Sequence, residues 1–277
     1  MTADIAVYDP QSGGKPQSFC MNGSSAERLA MVLNEGELAQ LSEGANAQER
    51  VANLADSPQV VVVKSGPHGA FVYEHGECMG RIPAYRSKKV YKIGSGDIFS
   101  AMFAYQWMEN GASAIEAADY ASRCVAYYVE TRQPQMPASI PEYEALRPTN
   151  APKKVYLAGS FFSTEHVWLI EEVRAALRSL GIPCFSPMHD VGISTAPHVV
   201  GADLAGLENC HVVLGLLSDN DPGTLFEIGY AHSKGIRVIA VTQNPGPQDL
   251  TMVSGSGGEI YDDLASAVYA AAWASME

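Results

Sequence analysis

The sequence predicts two α/β domains, the second of them built on a doubly wound parallel sheet. In the second half of the chain, continuous apolar strands are separated by helical stretches, a pattern typical of parallel sheets covered on both faces. The first half combines strands, a hairpin and helices. Between them, "EALRPTNAPKK" at 144–154 has the prolines and polar residues of an interdomain linker. We therefore predict domains at 1–146 and 154–277, joined by a linker at 147–153.

The predicted elements of the first domain are strands at 4–9 and 60–64, an antiparallel hairpin at 69–85, and helices at 24–33, 96–109 and 113–131. The helix at 24–33 is predicted because Ser24-x-x-Glu27 has the pattern of a capping box. The run "VVVVK" at 60–64 is predicted to be a buried strand.

The predicted elements of the second domain are strands at 154–159, 183–187, 211–217 and 237–242, and helices at 164–180, 197–208, 224–234 and 259–275. Gly181 is expected to end the first of these helices. Since ligands of doubly wound sheets bind beyond the carboxyl ends of the strands, we expect the site of this domain at that edge.

The acidic composition restricts the classes of partner. The 277 residues include 31 acidic and 18 basic side chains, for a net charge of −13. This argues against binding a nucleic acid polymer, which requires clustered Lys and Arg, but it leaves single nucleosides and nucleotides open. The chain lacks an apolar run of the roughly 18–20 residues that a membrane span needs. The start "MTADIAVYDP" has no signal pattern. We expect a cytoplasmic protein that does not bind membranes.

Metal and disulfide sites are not predicted. The five cysteines are scattered and include no C-x-x-C pair, so we expect free thiols. His166, His189, His198 and His232 lack metal-ligand spacing, and we predict surface or hydrogen-bonded histidines.

A Gly-Ser-Gly turn precedes the helix at 96–109, within "YKIGSGDIFSAMFAYQWMENG". Glycines permit close backbone approach, and the first amides of a helix can bind an anion. Asp97 would then accept a hydroxyl proton during phosphoryl transfer. The alternative is that Asp97 is an acidic residue that stabilises the helix start.

Residues 3–135 resemble the C-terminal half of the ribokinase-like (PfkB) carbohydrate kinases. The matching residues are Gly94, Ser95, Gly96 and Asp97 for the family's G-A-G-D turn, and Asn34 and Glu37 for its N-x-x-E. "VVVKSGPHGAFVY" resembles the strand and glycine loop that approach the nucleotide. The resemblance implies a truncated ribokinase-like domain, with Asp97 as catalytic base and ATP and Mg²⁺ as its ligands.

This sequence departs from the kinase pattern in two respects. The family's Asp-Thr before the glycine turn is Tyr91-Lys92 here, and the resemblance begins in what is mid-domain for a complete kinase. We therefore expect no sugar-kinase activity and predict a retained nucleotide-binding or assembly role. A sugar or nucleoside kinase that uses Asp97 is the alternative from another enzyme class. A non-catalytic sensor or scaffold is a third possibility.

Carboxylates cluster along the predicted edge of the second sheet, and each has a structural interpretation as well as a catalytic one. Thr224-x-x-Glu227 fits a capping box, in which Glu227 reaches back to the cap amide. Asp221 opens an ordinary Asp-Pro-Gly turn. Asp203, taken alone, is a solvated helix residue. Asp219 and Asp221 both follow the strand at 211–217, which would bring them to the same edge.

Residues 153–275 resemble the nucleoside 2-deoxyribosyltransferase family. The family pattern is a Tyr-containing first strand, an Asp on a middle helix, and D-x-G-T-x-x-E-x-G-x-A. This chain has "VYLAGSFFS", Asp203 and "DPGTLFEIGYA". The resemblance implies a flavodoxin- or Rossmann-like fold with Glu227 as nucleophile, positioned by Tyr156, and Asp221 and Asp203 handling protons. The substrate-binding residues it implies are Gly159, Ser160, Phe161, Gly223 and Met252, the last contributed by a neighbouring subunit of a homo-oligomer.

The chemistry fits these residue types. Cleavage of an N-glycosidic bond develops positive charge at the anomeric carbon, which a carboxylate can capture as an ester before a second acceptor attacks. No cofactor is required. The expected partners are small-molecule nucleosides or nucleotides and free bases. Transferase and hydrolase remain open, as do a nucleoside and its 5′-monophosphate.

Overall fold

The computed structural model describes residues 2–11, 15–146, 151–192, 197–217, 221–242 and 250–277. The chain divides into two compact units, Met1–Arg147 and Pro148–Glu277, called unit 1 and unit 2 below. Within the described part of the chain, no helix is long and apolar enough to cross a membrane.

Unit 1 contains a five-stranded sheet of order β1-β2-β3-β4-β5 and a two-stranded sheet of β6 and β7. Its strands are β1 (Thr2–Tyr8), β2 (Ser25–Asn34), β3 (Val60–Lys64), β4 (Ala70–Glu74), β5 (Glu77–Ile82), β6 (Ala84–Tyr85) and β7 (Ala145–Leu146). Its helices are α1 (Glu35–Leu41), α2 (Ala47–Ala52), α3 (Ser95–Ala104, continued by a π-helical turn over Tyr105–Glu109) and α4 (Ala114–Thr131). The first three strands are parallel, and the hairpin of β4 and β5 is antiparallel, as predicted.

The predicted helix at 24–33 is wrong, because these residues form β2. Its residues 29–33 are all buried, and they alternate between the two cores of the unit. Ala30 and Val32 pack in the core that includes residues of α3 and α4, whereas Met31 and Leu33 pack in the other. A strand with both faces covered reads as a continuous apolar run. Its parallel pairing with β1 and β3 outweighs the local capping pattern.

Unit 2 contains an all-parallel sheet of order β12-β11-β10-β8-β9. Its strands are β8 (Val155–Gly159), β9 (Cys184–Phe185), β10 (Val212–Leu216), β11 (Arg237–Val241) and β12 (Glu259–Tyr261). Its helices are α5 (Thr164–Ser179), α6 (Pro187–Asp190), α7 (Pro197–Glu208), α8 (Pro222–Ser233), α9 (Thr251–Gly255) and α10 (Leu264–Met276). The doubly wound architecture predicted from the alternation of strands and helices is confirmed.

The predicted helix at 259–275 begins too early. Residues 259–261 form β12, which pairs with β11, and the helix starts only after Asp263. The Asp263 carboxylate accepts hydrogen bonds from the Ser266 amide at 2.8 Å and from its hydroxyl at 2.6 Å, an N-cap that fixes the start of α10. The strand predicted at 183–187 is also shorter than expected, at two residues.

The order of the strands positions the candidate site. From β8 the chain passes to β9 on one side and then to β10 on the other, so the direction of winding reverses between β8 and β10. A crevice opens at such a reversal, beyond the carboxyl ends of the two strands. The core on one face of the sheet includes Tyr156 of β8 together with residues of α7 and α8.

Candidate active site

Tyr156 and Glu227 form the centre of the site. Tyr156 is fully buried in β8, and its hydroxyl donates a hydrogen bond of 2.6 Å to Oε1 of Glu227 in the second turn of α8. Ile228 and Ala231 pack the buried face of α8 in the same core as the Tyr156 ring. The helix therefore holds Glu227 above the tyrosine.

Burial makes Glu227 a weaker acid than an ordinary glutamate. Desolvation raises the pKa of Glu227 to about 7; the charges of Asp203 and Asp221 raise it further, and the hydrogen bond from Tyr156 opposes this rise. Burial, followed by the charge of Glu227, also raises the pKa of Tyr156. The tyrosine hydroxyl therefore keeps its proton and acts as a donor, and Glu227 changes its ionisation near neutral pH.

Asp203 lies on α7 and is not the solvated residue that its local sequence allows. Its Oδ1 is buried without a hydrogen-bond partner among the described residues. Burial raises the pKa of this carboxyl group, and its charge acts on both Tyr156 and Glu227. Asp203 is therefore electrostatically coupled to the central pair.

The predicted capping box of Thr224 and Glu227 is wrong. Asp221 is the N-cap of α8, and its Oδ2 accepts hydrogen bonds from the amide of Thr224 at 2.8 Å and from its hydroxyl at 2.9 Å. Glu227 is engaged by Tyr156 instead. The cap lies one residue before Pro222, a usual first helical residue, which explains why the helix begins earlier than predicted.

The remaining predicted residues of unit 2 lie at different points of the edge. Gly159 ends β8, Ser160 follows it and is buried, and Phe161 is half-buried against the ring of Phe162. Gly223 is exposed at the start of α8. Met252 is 81% exposed on α9, so its proposed contact with a sugar stays a prediction. Asp219 lies outside the described residues.

The sequence reasoning missed Phe185 and Gly206. The ring of Phe185 stacks on that of Tyr156, with centroids 5.5 Å apart and planes at 16°. A Cβ on Gly206 of α7 would lie 2.2 Å from Cζ of Phe185. The pairing of Phe185 with Tyr156 follows from the parallel register of β8 and β9, which the sequence does not display.

His189 is hydrogen-bonded, as predicted. Its Nε2 lies 2.8 Å from Oε1 of Glu171 on α5, and its Nδ1 lies 3.0 Å from Oγ of Ser186. The side chain of His198 lies outside the described residues. Among the described residues, no group of three His, Cys, Asp or Glu side chains is arranged to hold a metal ion.

In unit 1, Asp97 lies at the start of α3, where its carboxylate accepts a hydrogen bond from Gln11. Gly94 precedes the helix with φ +80°, and a Cβ there would lie 2.7 Å from Oη of Tyr128, so only glycine fits. A Cβ on Gly96 would lie 3.6 Å from Nζ of Lys64. The lysine and the first amides of α3 thus form a combination suited to a phosphate.

Lys64 is held by Asp9, another residue that the sequence reasoning missed. Nζ of Lys64 lies 3.1 Å from Oδ2 of Asp9, which also accepts a hydrogen bond from Ser100 of α3. Asp9 follows β1 and Lys64 ends β3, two strands that run parallel to β2. Both residues lie at the carboxyl ends of parallel strands, where ligands bind in such sheets, and this is the signal by which the sequence could have identified them.

Asn34 and Glu37 form two reciprocal hydrogen bonds, in each of which the backbone amide of one residue donates to the side chain of the other. Oδ1 of Asn34 accepts from the amide of Glu37 at 2.9 Å, and Oε2 of Glu37 accepts from the amide of Asn34 at 2.7 Å, a capping box at the start of α1.

Residues 155–261 match the family model "Nucleoside 2-deoxyribosyltransferase". Unit 2 is thus deoxyribosyltransferase-like. Residues 25–141 match the model "pfkB family carbohydrate kinase", so unit 1 is kinase-like. Both resemblances found in the sequence are confirmed.

Solved structures resemble each unit. The chain is 26% identical to a 2-deoxyribosyltransferase from Bacillus psychrosaccharolyticus, over 40% of this chain and 86% of that one, with a TM-score of 0.36. A CMP N-glycosidase from Clostridium botulinum is 18% identical, over 39% and 86%, with a TM-score of 0.32. A ribokinase from Thermotoga maritima is 22% identical, over 46% and 42%, with a TM-score of 0.39. The chain therefore spans less than half the length of that ribokinase. The comparison with curated proteins finds no match.

Proposed function

We propose that the deoxyribosyltransferase-like unit cleaves the N-glycosidic bond of a nucleoside or deoxynucleoside, with Glu227 as nucleophile. The observation that supports this most directly is the hydrogen bond of 2.6 Å from the buried Tyr156 hydroxyl to Glu227. This hydrogen bond engages Oε1 of Glu227 and leaves Oε2 to attack the anomeric carbon. The match of residues 155–261 to the transferase family supplies the substrate class.

In the first step, a carboxylate oxygen of Glu227 attacks the anomeric carbon as the bond from that carbon to the base nitrogen breaks. The electron pair of the broken bond leaves with the base, which takes a proton from a carboxylic acid. In the second step, a second base or water attacks the same carbon, expels Glu227 and returns a proton. Two inversions give net retention.

We assign the proton transfers to Asp203 and Asp221. A carboxyl group whose pKa is raised by burial, as for Asp203, keeps its proton to a higher pH and is a better general acid near neutrality. Asp221 uses Oδ2 for capping α8, which holds its carboxylate at the start of the helix that carries Glu227. The reaction as proposed needs no cofactor.

The acceptor decides the reaction name. A free base that attacks the glycosyl ester makes the enzyme a transferase, and water makes it a nucleosidase. We favour nucleosides over their 5′-monophosphates, because a phosphate would need a cradle and the turn at 159–163 contains no Arg or Lys. A nucleoside 5′-monophosphate glycosidase is the alternative.

For the kinase-like unit we propose no phosphoryl transfer. Lys64 and the start of α3 suit a phosphate, but Lys64 is paired with Asp9 and Asp97 is engaged by Gln11. Asn34 and Glu37 are engaged with each other. A nucleotide held without turnover fits this arrangement. If the unit binds ATP, Lys64 and the first backbone amides of α3 would hold its phosphates.

The test follows base release and base exchange by chromatography, with deoxynucleosides, ribonucleosides and monophosphates, each with and without a second base. Glu227→Ala is expected to abolish turnover. Glu172→Ala, an exposed carboxylate on α5, is the matched control and is expected to retain it. Full turnover by Glu227→Ala would contradict the nucleophile assignment. ATP consumption that disappears in Asp97→Ala would contradict the proposal for the kinase-like unit.

A further inference from the structure

Phe185 is enclosed between two parts of the candidate active site. One face of its ring stacks on Tyr156, the donor to Glu227. The tip of the ring lies against the backbone of α7 at Gly206, where a Cβ would approach Cζ to 2.2 Å and Cε1 to 2.5 Å. There is room for hydrogen at this helix position and for nothing larger.

Gly206 is one helical turn after Asp203, and residues three apart lie on the same face of a helix. The contact of Phe185 with Gly206 therefore sets how closely the Asp203 side of α7 approaches β8. The stack on Tyr156 sets the direction of the tyrosine ring and hence of its hydroxyl. The Phe185 side chain thus contacts Tyr156, which holds the Glu227 carboxyl group, and the segment of α7 that carries the Asp203 carboxyl group.

We infer that Phe185 is a positioning residue that fixes the placement of Glu227, through Tyr156, and of Asp203, through Gly206. The effect of Phe185 on catalysis rests on the proposed glycosidic function. Its contacts with Tyr156 and Gly206 do not depend on that function. Phe185 itself touches no reacting atom in this assignment.

The backbone after Phe185 is fixed independently. The amide of Ser186 donates a hydrogen bond of 2.8 Å to Oδ2 of Asp190, and the buried Ser186 hydroxyl lies 3.0 Å from Nδ1 of His189. The other nitrogen of His189 lies 2.8 Å from Glu171 of α5. This chain of contacts anchors the end of the short strand β9 to a long helix, so the Phe185 ring has a rigid base.

The test is a double-mutant cycle of Gly206→Ala and Phe185→Leu. Gly206→Ala pushes the ring toward Tyr156 and is expected to lower kcat/KM by about 10- to 100-fold, the scale of a displacement of about 1 Å in a catalytic group. In the Phe185→Leu background the ring tip is absent, and Gly206→Ala is expected to have less than about a threefold further effect. Gly201→Ala on the same helix is the control, because a Cβ there meets nothing within 4 Å.

A pH profile separates positioning from loss of folded protein. Three groups act on the ionisation of Glu227: Tyr156 on β8, Asp203 on α7 and Asp221 at the start of α8. When the tyrosine moves away, its hydrogen bond no longer favours the carboxylate. The acid limb of kcat/KM then moves to higher pH in Gly206→Ala and in Phe185→Leu. A smaller amount of folded enzyme would lower the rate equally at every pH.

A second readout needs no turnover. Titration of the Glu227 carboxyl group by ¹³C NMR, assigned by comparison with Glu227→Gln, is expected to move to higher pH in Gly206→Ala and to be unchanged in Gly201→Ala. A wild-type protein without glycosidic activity, but with this titration pattern, would overturn the proposed function and uphold the contacts. Equal effects of Gly206→Ala in both backgrounds, or an unchanged titration in Phe185→Leu, would overturn the positioning role.

Discussion

Glu227→Gln is expected to stabilise unit 2 at alkaline pH and to leave its stability unchanged in acid. The folded protein raises the pKa of Glu227 from 4.5 to about 7, chiefly through burial, so folding favours the protonated form. The neutral side chain is fully present below pH 4.5, and its contribution is lost as the pH rises through 7. One pKa unit corresponds to 1.36 kcal/mol, so the loss of stability is about 3 kcal/mol. This value is an upper bound, because the Glu227 side chain is only half-buried. Glutamine stays neutral and can still accept from Tyr156.

The assay is urea unfolding between pH 5 and 8, followed by tryptophan fluorescence in a Trp107→Phe background. The signal then comes from Trp168 and Trp273, both in unit 2. The free-energy difference between Glu227→Gln and Glu227 is expected to grow from less than about 1 kcal/mol at pH 5 to about 2–3 kcal/mol at pH 8. Glu172→Gln on α5 should show no such growth. A difference that is the same at both pH values would refute the reasoning, because it would mean that the Glu227 carboxylate is fully hydrated.

Three further predictions follow from the contacts described above. Tyr156→Phe removes a charge-assisted hydrogen bond worth about 1.5–3 kcal/mol, so the acid limb of kcat/KM should move up by about one to two pH units; an unchanged limb contradicts the role of Tyr156 on Glu227. Asp221→Ala should lower the urea-unfolding stability of unit 2 by about 1 kcal/mol and Asp221→Asn by only a few tenths; equal losses would mean that capping is not the cause. Gly94→Ala should lower the stability of unit 1 by about 1–3 kcal/mol without changing glycosidic activity, because the positive φ and the Tyr128 hydroxyl both oppose a side chain there; an unchanged unfolding midpoint would contradict this.

The strands and helices of unit 2 could be predicted because its apolar runs are long and regularly interrupted. Residues 29–33 are an apolar run of the same kind, but the capping pattern of Ser24 and Glu27 just before them favours a helix. The pairing of β2 with β1 and β3, which decides in favour of a strand, is long-range and is not contained in any local pattern.

The candidate site could be predicted in part. A carboxylate in the second turn of α8 and a tyrosine on β8 were both identified, but their separation of 71 residues hid the hydrogen bond between them. The alternative that the local sequence offers, a capping box of Thr224 and Glu227, does not form, because Asp221 caps α8 and Pro222 begins it. Phe185 and Gly206 carry no recognisable chemistry, and only the packing of α7 against β9 shows why they matter.

The helix glycines of unit 2 also bear on engineering the protein for heat resistance. Replacing a glycine inside a helix by alanine is a common route to thermostability, worth up to about 1 kcal/mol at each site that has room. Gly201 and Gly229 have such room, since an added methyl group at either would meet nothing within 4 Å. Gly206 has none. Of three glycines that look interchangeable in the sequence, two are open to stabilising substitution and one is closed to it by a single aromatic ring.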